Sequence, residues 1–425
     1  MINHPGSVAV PTSAWYGDEW IELAFPDEWD IDVRRMAGET TPALTGDEIR
    51  DSLRRTLDTP TLSELAAQRE RAVVLFDDLT RPAPVGRIAP FVIDELLAGG
   101  MKAEQIRFVA ALGSHLPMTH DELVLKLGQE IVERFPVFNH NCYENLVEVG
   151  ETTLGTKLLV NREVMNCDLR IGIGGSIPYW TPGNYGGGAK IVMPGICGID
   201  SIQHHHFQAP AIAVERNDSR VGALAEGGRD ALRVNMEEAA RIVGLDMKVD
   251  IVINARREPV KLLAGDPASV WRDARRFGNT HYVTDPGSSA DIVVMNSYPQ
   301  EEQIQASVGL AAPTLRQGGD LVALSHSPKG IGLNHYLHGQ WGTDYGGREW
   351  HSGLAWNIEA ADRVFVISPH LARSAQLSAV ENPKVRWYPS WEKALPELTS
   401  DHGSGTRVNV FPYAAIQTTF IPALS

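Results

Sequence analysis

The feature that most constrains this chain is a series of short apolar runs, each closed by glycine or a polar residue. The clearest are RAVVLFDD (71–78), IRFVAALGSH (106–115), LRIGIGGS (169–176), VDIVINA (249–255), DIVVMNS (291–297), DLVALSH (320–326) and RVFVISP (363–369). Such runs are what strands buried on both faces of a parallel sheet require. Between several of them lie stretches with apolar residues at helical spacing: 88–100, which ends on Gly-Gly, 230–243 and 301–317. Strand alternating with helix predicts an α/β fold with right-handed crossovers. A charged, irregular stretch at 256–278 precedes a fresh strand–helix–strand series. The sequence therefore predicts two α/β domains with largely parallel sheets, a larger one at 1–275 and a smaller one at 276–425. The active site is expected in a cleft between them, at the carboxyl ends of strands.

Charge narrows the function. Thirty-eight basic residues against 53 acidic ones give a net charge of −15, which repels phosphate backbones and anionic lipid heads. Nucleic-acid and membrane-surface binding are thus not expected as the main activity, although a local basic pocket for a small anion is compatible with it. No apolar run reaches the roughly 18 residues of a membrane helix. The N-terminus has no basic segment followed by an apolar one, as a secretory signal would. Three scattered cysteines (Cys142, Cys167, Cys197) suit reduced thiols in a cytoplasm better than a disulfide framework or a four-cysteine metal site.

Three segments carry candidate chemistry. DDLTRPAP (77–84) follows a strand, and Arg81 there can clamp a carboxylate or phosphate with two parallel hydrogen bonds. It equally suits a helix N-cap in which Asp78 holds free amides and Arg81 pairs with an acid. ALGSHLPMTHDEL (111–123) puts His115 in a loop after a strand, with Thr119 as a helix cap and His120 in the solvated first turn. A histidine so placed can act as general acid or base, and a lone histidine is also commonly structural. In 171–207, Gly186, Gly187 and Gly188 precede Ala189 and Lys190. Triple glycine lets backbone amides close on a ligand, yet neither the Walker A nor the dinucleotide glycine spacing is present. Lys190 reads as a nucleophile or covalent anchor, or as a surface lysine after a turn. His204, His205 and His206 are consecutive. In an α-helix neighbours diverge by about 100°, so one inward histidine as a metal ligand with two bystanders is the expected arrangement.

Together these segments resemble the nickel-dependent lactate racemase family of 2-hydroxyacid racemases and epimerases. The carriers are DDLTRP (77–82), the strand followed by Gly-Ser-His at 113–115, GGGAKIVMPGI (186–196), and His206, sixteen residues after Lys190. Order and spacing suit that family over nearly the whole chain. The resemblance implies a nickel-pincer nucleotide, a pyridinium mononucleotide whose two sulfur arms and one carbon hold nickel, made by separate biosynthesis proteins and bound by the larger domain. Lys190 matches the covalent tether and His206 the protein ligand to nickel. Asp78 and Gly186–Gly188 match the cofactor side, and Arg81 matches a position that orients substrate carboxylate. His115 matches one of two catalytic histidines that remove the hydroxyl proton as the α-hydrogen moves to the cofactor as hydride.

The departures fall on the substrate side. The family's second catalytic histidine sits in a Glu-Pro-His segment, where this chain has Pro178-Tyr179-Trp180 and one residue more before Lys190. The family's Tyr-Gln-x-x-Lys corresponds to Ile304-Gln305-Ala306-Ser307-Val308, which keeps Gln305 and loses the lysine. Tyr179 is a candidate for the second acid/base, although a phenol with pKa near 10 is a poor base. His326, His335 or His338 is another, and chemistry on one face only is a third possibility. Trp180, with Trp341 and Trp350, suits a bulkier substrate, and tryptophans are also ordinary core residues. The expected function is racemisation or epimerisation of a hydroxy acid, or a related hydroxy compound, other than lactate. The alternatives are a metal-assisted hydrolase or lyase using Asp77, Asp78 and His115, and a non-catalytic carrier of the cofactor.

Overall fold

In the computed structural model, which describes residues 6–179, 183–223, 228–304, 307, 310, 314–330, 358–371 and 382–419, all seven apolar runs are strands with parallel neighbours. β1 (Ser7–Thr12) and β2 (Glu19–Ala24) make an antiparallel hairpin, followed by β3 (Asp30–Val33). β4 (Ala72–Phe76), β5 (Ile106–Ala110) and β6 (Val137–Asn139) are successive parallel neighbours. A second hairpin, β7 (Leu146–Glu151) with β8 (Lys157–Asn161), precedes β9 (Leu169–Gly175), which returns to pair with β4. β10 (Met247–Ile253) adds to β9 in parallel, and β11 (Pro259–Gly265) closes the edge antiparallel to β10. The first sheet thus runs β11-β10-β9-β4-β5-β6.

β12 (Ala290–Asn296), β13 (Leu315–Leu324), β14 (Ala361–Ile367), β15 (Val385–Tyr388) and β16 (Arg407–Phe411) build the second sheet with β3. Its order is β15-β14-β13-β12-β16-β3, parallel throughout. Each sheet belongs to its own unit. One unit takes the described residues of Met1–Glu39, Pro178–Asn184 and Asn279–Ile421, the other those of Thr40–Ile177 and Tyr185–Gly278. All five residues of β4 are buried, as two covered faces demand. No described helix is long and apolar enough to cross a membrane.

Two expected elements differ. The stretch 256–278 is regular: it holds β11 and a helix, Pro267–His281, started by Asp266, whose carboxylate accepts the Ala268 and Ser269 amides at 3.0 Å each. The strand hides in its charges because it is an edge, with Lys261 exposed between buried Val260 and Leu262. The helix expected over 301–317 ends before Leu315, which pairs with Ala290 at the start of β13. Glu301–Gln303 is a short 3₁₀ turn, and residues 305–306, 308–309 and 311–313 lie outside the described residues. The helices expected at 88–100 and 230–243 are found as Ala89–Ala98 and Ala231–Val243, the second ended by left-handed Gly244 (φ 76°).

Candidate active site

β4 and β9 are adjacent in the sheet but not in sequence. From β4 the chain continues to β5 and β6 on one side, and from β9 to β10 and β11 on the other. At such a switch point the connections leave in opposite directions and open a crevice beyond the strand ends. β4 ends at Phe76, so Asp77 and Asp78 stand there. Neighbouring residues in extended chain face opposite ways, and these two acids have separate partners. Asp77 Oδ2 accepts the Gly175 amide at the end of β9 at 2.8 Å, while Oδ1 pairs with Lys126 Nζ at 2.7 Å. Lys126, fully buried on the helix His120–Leu127, also donates to the carbonyls of Asp78, Arg81 and Ala83 at 2.9, 2.9 and 3.0 Å. Burial lowers its pKa, against the pull of Asp77. One lysine thereby fixes the turn 77–83; in sequence it is one more charge on an amphipathic helix.

Asp78 has the other set of partners. Its Oδ1 accepts the Thr80 amide at 2.9 Å and the Thr80 hydroxyl, and its Oδ2 meets His115 Nδ1 at 2.6 Å. Burial opposes ionisation of Asp78, but the charge and hydrogen bond of His115, with Arg81 and Thr80, hold the carboxyl well below the usual carboxylate range. In the neutral form of the ring, an Nδ1–H given to Asp78 leaves the lone pair on Nε2. Gly113 (φ +57°) turns the chain after β5 and donates its amide to the Gly195 carbonyl at 2.8 Å, which joins the His115 loop to the segment after Lys190. Thr119 caps the following helix through the Glu122 amide, and His120 is exposed, both as expected. Arg81, half-buried, donates from Nη1 to Thr80 Oγ1 at 2.9 Å, one residue-width from Asp78.

The glycine segment is held from beneath. The Gly186 amide donates to the Ile177 carbonyl at 2.9 Å and pins the two ends of an excursion, inside which the Tyr179 amide donates to Asn184 O at 2.9 Å. The Gly188 amide donates to the buried Asp250 carboxylate of β10, at 2.9 Å to Oδ2, and Asp250 is paired with buried Lys248. A Cβ on Gly187 (φ +78°) would lie 2.4 Å from Asp250 Oδ2, and one on Gly188 (φ +55°) 2.7 Å from Trp271 Cβ. Close packing therefore demands both glycines. Arg233 donates to the Tyr185 carbonyl at 2.7 Å and the Gly187 carbonyl at 3.1 Å, and its guanidinium lies 4.4 Å from the Trp271 ring centroid. Lys190 follows in a 3₁₀ turn, Gly188–Ile191, half-buried. Lys248, Asp250 and Arg233 have no signature in the sequence.

His204–Gln208 forms a π-helical turn between Ile199–Gln203 and Ala209–Glu215, a distortion frequent at functional sites. Of the three rings, His205 as well as His206 turns inward, where a single inward histidine is expected from α-helical spacing. His205 is fully buried with Nδ1 2.9 Å from Asn235 Nδ2, and His204 Nδ1 lies 2.9 Å from Thr156 Oγ1. The wider turn admits a second ring to the interior, so His205 and His206 meet edge to face at 4.8 Å. His206 Nδ1 donates to the Ile202 carbonyl at 2.8 Å, which puts the neutral ring's lone pair on Nε2. Burial pushes His206 down to about 4, opposed by the Ile202 carbonyl and reinforced by the charge of Lys190. Burial, then His206 and Lys190, likewise hold His205 well below an ordinary imidazole. Among the described residues no group of three or more His, Cys, Asp or Glu side chains could hold a metal ion.

His140 is structural: its Nε2 donates to Cys197 O at 2.9 Å and its Nδ1 accepts from Asn161 at 3.0 Å. Burial, against the Cys197 bond, holds it at about 4 where 6.5 is ordinary. Below pH 6.5 the unfolded chain takes a proton that the fold refuses. Its contribution to stability is therefore lost from about pH 6.5 down to about pH 4, on the order of 3 kcal/mol in all. Denaturant melts at pH 7 and 4.5 should show a smaller acid loss for His140→Gln; an equal loss in both proteins would refute this.

Tyr179 groups with the unit that contains the second sheet. Trp180 and Gln305 lie outside the described residues, as do His335, His338, Trp341 and Trp350. What the first sheet's unit assembles is a histidine held by an ionised aspartate at a strand switch point, next to an arginine, with a lysine and an inward histidine on the adjoining segment. Such a set is able to do acid–base work on a small ligand. Residues 16–218 match the family model described as the lactate racemase N-terminal domain. The lactate racemase of Lactiplantibacillus plantarum is 27% identical over 300 residues, 68% of this chain and 69% of that protein. The lactate racemase of Thermoanaerobacterium thermosaccharolyticum is 26% identical over 326 residues, 75% of this chain and 74% of that one. The lactate racemase apoprotein structure from the latter organism shares the fold with a TM-score of 0.70 at 18% identity, covering 97% of this chain and 99% of that one. A Thermotoga maritima crystal structure follows at 0.62 and 17%, covering 89% of this chain and 98% of that one. Over residues 16–218 the chain thus matches the lactate racemase N-terminal domain, and along two thirds or more of its length it is similar to lactate racemases, which are isomerases.

Proposed function

We propose that the enzyme interconverts the stereoisomers of a 2-hydroxy acid, or a related hydroxy compound, other than lactate, using a nickel-pincer nucleotide tethered to Lys190. The observation that carries this reading is the Asp78–His115 pair in the same unit as Lys190 and His206. The residues present fit the group. His206 is neutral, oriented by Ile202 O, and offers one nitrogen. Since the described residues hold no three-ligand cluster, nickel at His206 would take its other ligands from the organic part. The glycine turn presents Lys190 on a segment fixed by Asp250 and Arg233. When bound, the nucleotide supplies the electron-poor acceptor for the α-hydrogen that no side chain provides.

The chain's own residues supply the rest. His115 Nε2 takes the substrate hydroxyl proton, holds it while the centre is planar, and returns it. Asp78 fixes the tautomer and stabilises the imidazolium that forms, in the manner of a hydrolase triad aspartate. Arg81 orients the substrate carboxylate. Tyr179 is the proposed partner on the opposite face, on the strength of its place after Pro178. Asp77 and Asp78 are both engaged, to Lys126 and His115, so the hydrolase alternative gains no support from them. The setting proposed is the cytoplasm, with cofactor biosynthesis proteins as partners; all three cysteines are free and buried.

The test is co-expression with a nickel-pincer biosynthesis set, intact-mass analysis, and a screen of α-deuterated hydroxy acids for racemisation and label loss. A nucleotide-sized adduct and turnover of a hydroxy acid in preference to lactate are expected. Lactate as the best substrate would overturn the substrate assignment. An unmodified chain, in cells where a related racemase is loaded, would overturn the cofactor, and a loaded chain inert to the whole panel would favour the carrier.

A further inference from the structure

His205 is fully buried, and its Nε2 has no hydrogen-bond partner among the described residues. The other side of the ring is fully determined. Buried Asn235 accepts from the Thr152 hydroxyl at 2.7 Å and donates from Nδ2 to Thr156 Oγ1 and to His205 Nδ1, each at 2.9 Å. His205 Nδ1 is therefore the acceptor, and the proton resides on Nε2. A buried N–H with no acceptor is uncommon in native proteins and marks a place where a bound group completes the bonding. Within the π-helical turn the His205 ring lies edge to face with His206, 4.8 Å between centroids.

We infer that His205 Nε2–H donates a hydrogen bond to an acceptor atom, oxygen or sulfur, of the anionic organic ligand held by Lys190 and His206. His205 is then a positioning residue for that ligand, a role that rests on the cofactor reading above. It accounts for the buried network Thr152–Asn235–His205, whose effect is to aim one N–H inward.

Two substitutions separate the nitrogens. His205→Asn places an amide near the Nδ1 position, where it can still meet Asn235, and leaves nothing at Nε2. His205→Gln reaches the Nε2 position and gives up the Asn235 contact. Each is co-expressed with the biosynthesis set and checked by intact mass for the Lys190 adduct. Nickel loss to a chelator and the absorption spectrum of the bound cofactor are then measured. The expected result is an adduct in both, nickel loss about 10-fold faster or more and a shifted spectrum in His205→Asn, and near-wild-type behaviour in His205→Gln. Wild-type nickel retention and spectrum in both variants would mean that water satisfies Nε2, and the inference falls. Retention by Asn with loss by Gln is the pattern of a purely structural bond to Asn235, and the inference falls again. A wild-type chain lacking the adduct overturns the cofactor reading itself and this inference with it. Should a variant fail to fold, ¹⁵N-histidine spectra of the wild type answer without substitution. The His205 Nε2 proton moves on loading, and an unmoved signal overturns the assignment.

Discussion

Lys190→Ala should leave a folded chain with no covalent nucleotide and no detectable racemase activity. The side chain is half-buried in a short turn whose position depends on other groups: Asp250 on the Gly188 amide, Arg233 on two carbonyls, Trp271 against Gly188. None of these is touched by the substitution, so the melting temperature should move by no more than a few degrees, as for surface-like substitutions. Removing the amine removes the only atom proposed to form a covalent bond to the cofactor, so the loss of the adduct is complete rather than graded. Intact mass reads the outcome directly. A variant that carries the wild-type mass increment would refute the tether.

His115→Ala and Asp78→Asn should act on turnover and spare loading. Loss of a positioned acid/base lowers kcat by roughly 10²–10⁴-fold. Asp78→Asn should approach the same loss for a separate reason: an amide facing Nδ1 can donate, which puts the imidazole proton on Nε2 and takes the lone pair from the reacting side. Both variants should show the Lys190 adduct, since neither residue touches the glycine turn in the contacts described. Because His115 and Arg81 keep Asp78 ionised far into acid, any fall in activity between pH 7 and 5 comes from another group. Full turnover by His115→Ala would remove its assigned role, and loss of the adduct in either variant would make the site a loading site instead.

The strands were legible because the parallel sheets bury both faces, which compels uninterrupted apolar runs such as Ala72–Phe76. β11 was not, because an edge strand can expose Lys261, and charge then mimics a linker. The residues that bear the family motifs could be read individually: Asp78, Arg81, His115, Lys190 and His206 all fall in one unit. Their supports could not. Lys126, Lys248, Asp250 and Arg233 are ionic groups in the interior, and a single sequence offers no way to tell a buried, paired charge from a solvated one. The three histidines misled for a geometric reason, since the 100° rule holds for an α-turn and the chain makes a π-turn there.

The excursion that carries Tyr179 has one more implication. Ile177 O and Gly186 N are joined at 2.9 Å, so the chain leaves and re-enters the sheet's unit at a fixed gap, whatever lies between. Residues Pro178–Asn184 group elsewhere. A seven-residue cassette can therefore be rewritten, or lengthened by a residue, while the segment that presents Lys190 and His206 stays in register. Closing a loop one residue longer is nearly free of entropic penalty. A lineage built this way can vary the cassette without disturbing the sheet beneath it.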